Sequence, residues 1–93
     1  MPRYLVERRF SVGEEQMSAV GRRSREIAQE RYPSIVWEHS HVLVDGDGRV
    51  VTFCVYGAPN EDIILNHARD LGYHEVLRVS EIVGDVTPAD FPS

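Results

Sequence analysis

The chain has 93 residues, 42% hydrophobic and 27% charged, which suits one soluble domain with a single core and no second lobe. Its net charge of −5, without a clustered basic surface, argues against a nucleic-acid partner, since displacing counterions from phosphates needs grouped Lys and Arg. One cysteine cannot form an internal disulfide and no apolar run approaches membrane-spanning length, so a cytoplasmic protein without a membrane partner is expected.

In chain order, "RYLVERRF" (3–10) reads as a strand, rich in Tyr, Val, Leu and Phe. Ser11 followed by Glu14 has the spacing of a capping box and predicts a helix from about Val12 to Tyr32. Its inward stripe is Met17, Val20, Ser24, Ile27 and Ala28, and Gly21 beside it suggests close packing on a sheet. Arg22, Arg23 and Arg25 sit beside Glu26 and Glu30 and read as a solvated helix face. Pro33 ends the helix.

"SIVWEHSHVLV" (34–44) and "RVVTFCVY" (49–56) are strands joined by "DGDG" (45–48), whose glycines tolerate hairpin backbone angles. Pro59 and Asn60 open a second helix, with Ile63, Ile64, Leu65, Ala68 and Leu71 as its apolar residues and Gly72 as its stop. "HEVLRVSEIV" (74–83) is the last strand. The order β-α-β-β-α-β predicts an α+β, ferredoxin-like split βαβ fold: a four-stranded antiparallel sheet with both helices on one face. The domain is expected to span 1–83. Residues 84–93 form a C-terminal tail, with Phe91 as its one anchor.

Two helices leave the other sheet face open, to be polar or covered by a partner or ligand. A tight hairpin closing around Gly46 and Asp47 sets Asp45 opposite Gly48, His41 opposite Thr52, His39 opposite Cys54 and Trp37 opposite Tyr56. On that register the open face carries all six of those last residues, with cross-strand Cβ atoms roughly 5 Å apart. The more aliphatic set, including Val51, Phe53 and Val55, turns to the helices.

His39 and His41 are then candidate imidazole ligands and Cys54 a candidate thiolate, a donor set that suits nickel or zinc over magnesium or calcium. The plain alternative is a polar histidine strip with Cys54 as small filler. Trp37, Thr52 and Tyr56 are candidate pocket or interface residues, lining an organic-ligand cavity between two copies or a bare dimer interface. A Cys54–His39 nucleophilic pair lacks an orienting Asn or Asp and an oxyanion hole, so nothing beyond a lone Cys near a His speaks for an enzyme. His67, at the edge of the second helix's inward stripe, and His74, expected to be exposed at the start of the last strand, are secondary metal candidates.

"YLVER" (4–8), "TFCVYGAP" (52–59) and "HARDLG" (67–72), in this order and spacing, resemble a family of short bacterial domains. That family was first catalogued as a domain of unknown function and is described through an actinobacterial nickel-responsive, nickel-binding protein. The resemblance covers about residues 3–83. It implies a ferredoxin-like fold, a homodimer and binding of nickel or a similar ion, with Cys54 and His67 inside matching motifs. His39 and His41 rest on the hairpin argument alone.

Overall fold

The computed structural model describes all 93 residues, Met1–Ser93. Strand β1 (Arg3–Phe10) leads through a short 3-10 turn (Glu14–Gln16) into helix α1 (Met17–Arg31). Strands β2 (Val36–Val44) and β3 (Val50–Gly57) form a hairpin, followed by helix α2 (Glu61–Leu71) and strand β4 (His74–Ile82). The strands lie in the order β2-β3-β1-β4 and every neighbouring pair is antiparallel. This is the ferredoxin-like α+β arrangement read from the sequence. No helix is long and apolar enough to cross a membrane.

The ends of the helices explain themselves unequally. Asn60 caps α2 as expected, its side-chain oxygen accepting from the Ile63 amide at 3.1 Å, and Gly72 ends the helix at φ +71°. Ser11 does not cap α1. Its amide and its hydroxyl both donate to the Tyr73 carbonyl, at 2.8 and 3.0 Å, and so fasten the left-handed turn between α2 and β4 to the end of β1. The α1 entry is instead closed by Gln16, whose side-chain oxygen accepts from the Gly13 amide at 2.9 Å.

Val20, Ser24 and Ile27 are the buried face of α1, with Met17 and Ala28 half-buried at its edges. On α2 the buried set is Ile64, His67, Ala68 and Leu71, while Leu65 faces outward. These residues meet alternate positions of β1 and β3 in two clusters. One joins Tyr4, Val6, Cys54, Tyr56, Ala58 and Ile64; the other joins Phe10, Val20, Ile27, Val50 and Leu71. Tyr32 at the end of α1 donates its hydroxyl to the Asp70 carboxylate at 2.5 Å, tying the two helices together. That hydrogen bond is the first reason the Asp70 carboxyl lies below its ordinary range and the Tyr32 hydroxyl above its own.

The hairpin differs from the tight closure expected for it. Asp45 is opposite Arg49, with three residues, Gly46 to Gly48, in the loop. The Gly48 amide donates to the Asp45 carbonyl at 3.0 Å and Gly48 sits at φ +79°, the left-handed position of a three-residue hairpin loop. The Asp45 carboxylate accepts from the amides of Arg49 and Asp47, which holds it below the ordinary range. The extra loop residue moves every later pair: His41 meets Phe53, Ser40 meets Cys54 and Val42 meets Thr52. A bulge at Glu38 then restores the pairing of Trp37 with Tyr56.

Beyond Ile82 the chain carries only a 3-10 turn, Pro88–Asp90. Phe91 is 72% exposed and anchors nothing. The tail's link to the domain is polar: Arg3 grips Glu38 with Nε and Nη2 and reaches the Asp85 carboxylate with Nη1 at 2.5 Å.

Candidate functional site

The one-residue change in the hairpin divides the expected site between two faces of the sheet. Thr52, Cys54 and Tyr56 are buried at 3–4% exposure and point toward the helices, opposite Arg8, Val6 and Tyr4 of β1. Trp37 joins them there, since the bulge at Glu38 turns it inward, and its indole donates to the Ser40 hydroxyl at 2.9 Å. His39 and His41 pair with Val55 and Phe53 and lie on the opposite, open face. Within one chain Cys54 therefore cannot share an ion with the two histidines. No group of three His, Cys, Asp or Glu side chains is arranged to hold a metal ion.

The histidine pair itself is assembled as the His-x-His spacing demands. The two rings stand edge to face with centroids 5.4 Å apart, and both residues are exposed. Imidazole nitrogens bind an ion such as zinc at about 2.0–2.1 Å, so two rings at this spacing reach one ion after small rotations of their side chains. The bulged Glu38 beside them is engaged by Arg3, whose hydrogen bonds hold its carboxyl below the ordinary range. Two donors are a partial coordination shell. The rest of the open face is mixed, with Leu5, Glu7, Arg78 and Ser80 on β1 and β4 and Phe53 beside His41.

The other histidines belong to the layer between sheet and helices. His67 is buried at 1% exposure, its Nε2 is 2.9 Å from the Ser24 carbonyl, and Tyr32 and Tyr56 flank its ring. Burial pushes its pKa down. Ile64 and Ala68 bury the same α2 face, so His67 lies inside that stripe and not at its edge. His74, expected to be exposed, is half-buried against Phe10 with ring centroids 4.9 Å apart. Its Nδ1 is bonded to the Gly72 carbonyl at 2.6 Å, and burial lowers its pKa too.

Between α1 and the sheet lies a cavity of about 150 Å³, with Trp37, Thr52, Cys54 and Tyr56 in its wall. The same wall contains Arg8, which ends the "YLVER" motif but was given no role of its own, as an arginine in an ordinary-looking strand. Only alternation along β1 could have found it: Tyr4, Val6 and Phe10 are core residues, and Arg8 occupies the same inward phase.

Compared with known protein families, residues 4–82 match a family model described as nickel responsive protein SCO4226-like. No curated protein matches the chain.

Proposed function

Because the chain belongs to this family of nickel-responsive proteins, we propose that it binds nickel through His39 and His41 on the open face of its sheet, acting as a homodimer in nickel sensing, storage or buffering. The observation that carries the reading is the edge-to-face pair of exposed imidazoles, 5.4 Å apart on one strand. Imidazole is a donor suited to nickel, and also to zinc, which makes zinc the natural competitor. A cytoplasmic setting suits a chain whose one cysteine is free.

Two features support the dimer. A pair of imidazoles leaves most of an ion's coordination positions to water or to donors from a second copy. β2 is also an edge strand with large apolar side chains in the open: Val36, Val42, Leu43 and Val44 are each about half exposed. An uncovered apolar edge strand is a surface that soluble proteins normally protect, and a second copy of β2 is the simplest cover.

X-ray absorption at the nickel edge of the loaded, tag-free protein tests the ligand set. Nitrogen and oxygen donors with the outer-shell scattering of imidazole, and no sulfur, are expected. A sulfur shell would place the ion at Cys54 and remove it from the open face.

A further inference from the structure

We propose that the cavity between α1 and the sheet is a second, separate binding site, for a small organic monocarboxylate whose charged end is held by Arg8. The geometry of Arg8 carries this. Its residue exposure is 2%, and its Nη1 donates to the Tyr56 hydroxyl at 3.3 Å. Its Nε and Nη2 are buried without any hydrogen-bond partner, and it forms no ion pair. Arginine keeps its charge in proteins, and a buried charge without a partner is strongly unfavourable.

The same protein shows what that guanidinium edge does when it is occupied. Arg3 uses Nε and Nη2 to hold both oxygens of Glu38, at 2.7 and 3.0 Å. This is the two-point grip that arginine offers a carboxylate. Arg8 has the same edge free, and no Asp or Glu contributes to the cavity wall. The Tyr56 ring beneath the guanidinium, 5.2 Å from its carbon to the ring centroid, adds cation–π support that helps keep Arg8 in place.

The remaining wall sets the size and polarity of the ligand. A cavity of about 150 Å³ accommodates a benzene-sized body. Phe10, Met17, Val20 and Leu71 make it mainly apolar, with the hydroxyls of Ser24, Ser40 and Thr52 as further polar groups. Trp37 and Val42, 42% and 58% exposed, are at the solvent side, whereas Tyr56 and Arg8 are sealed. A ligand therefore enters beside β2 with its carboxylate leading. The positive charge of Arg8 disfavours a metal cation here, so this site is independent of His39 and His41 on the opposite face.

The test titrates tag-free protein with benzoate, and with its neutral isostere benzamide, at constant ionic strength. The emission of Trp37, the chain's one tryptophan, and the melting temperature are followed together. Benzoate is expected to give a saturable emission change and a rise in melting temperature, with benzamide at least about tenfold weaker. Arg8→Met is expected to abolish the difference between the two. Gly21→Leu is the second variant: Gly21 lines the cavity and a Cβ built there meets nothing within 4 Å, so a larger side chain fills the space and leaves Arg8 intact. It is expected to block benzoate, and it decides the matter if Arg8→Met does not fold. Equal responses to benzoate and benzamide, undiminished benzoate binding in either variant, or no saturable response would each overturn the proposal. The His39→Ala/His41→Ala protein should bind benzoate as the wild type does.

Discussion

Ser40, not His39, stands across the ladder from Cys54, and both lie on the helix side of the sheet. This pairing removes the thiol from the histidine pair. Cys54→Ala should therefore leave nickel stoichiometry and affinity unchanged, while lowering stability by about 1 kcal/mol through lost core packing. Nickel titration and urea denaturation of the variant check the two halves separately. The buried thiol should also react slowly with a thiol reagent in the native protein and rapidly in urea.

The hairpin loop predicts a contrast between two glycines. Gly48 occupies the left-handed region and Gly46 does not. Gly48→Ala should cost about 1–2 kcal/mol, the penalty of placing a Cβ in that conformation. Gly46→Ala meets open space and should change stability little. Equal effects in chemical denaturation would mean that the loop closes differently from the three-residue form.

Helix α1 contains its own spare stability. Gly21 lies in the helix interior with room for a Cβ. Gly21→Ala should stabilise the fold by about 0.5–1 kcal/mol, since alanine surrenders less backbone freedom than glycine on folding. Thermal and urea unfolding measure the gain.

Acid should weaken the fold before the carboxylates titrate. His67 and His74 both have pKa values lowered in the folded state, chiefly by burial, with the Arg8 charge adding to the effect. The unfolded chain, with histidines near 6.5, then binds more protons than the folded one as pH falls. Stability contributed by neutral His67 and His74 is complete above that value and is lost as pH drops from about 6.5 toward their lower folded values. The lowered carboxyls of Asp45 and Asp70 continue the loss at still lower pH. Urea unfolding at steps from pH 7.5 to pH 5 should show the decline. His67→Gln, which keeps an N–H for the Ser24 carbonyl, should flatten it.

The order of elements was legible because most boundaries carry their own chemistry: Asn60 and Gly72 bracket α2, Pro33 follows α1, and glycines mark the hairpin, whereas the start of α1 does not use the Ser11 cap its spacing offers. The contents of the two faces were not legible. "DGDG" serves a two-residue or a three-residue loop, and one residue of difference exchanges the faces of the β3 side chains relative to β2 from the loop as far as the bulge at Glu38. Hydrophobicity misdirected the choice, because the helix-facing side of β3 holds Thr52, Cys54 and Tyr56 and the aliphatic set lies on the open side. That inversion is intelligible once Arg8, Ser24, Thr52 and His67 are seen in the inner layer: polar side chains are buried there among the apolar ones, so hydrophobicity alone does not mark the inward face of β3. His39 and His41 stayed together because residues two apart on a strand share a face whatever the register.

The most direct measurement of the central claim is nickel binding by tag-free wild type and by the His39→Ala/His41→Ala double variant, followed by calorimetric titration and metal analysis at neutral pH. Light scattering of the same samples should give twice the 10.6 kDa of one chain. Affinity should fall with pH as protons compete for the imidazole nitrogens. Stoichiometric nickel is expected in the wild type, with a loss of at least about tenfold in affinity in the folded double variant, the scale on which disturbing a metal shell is felt. Nickel held equally well by both proteins would contradict the central claim.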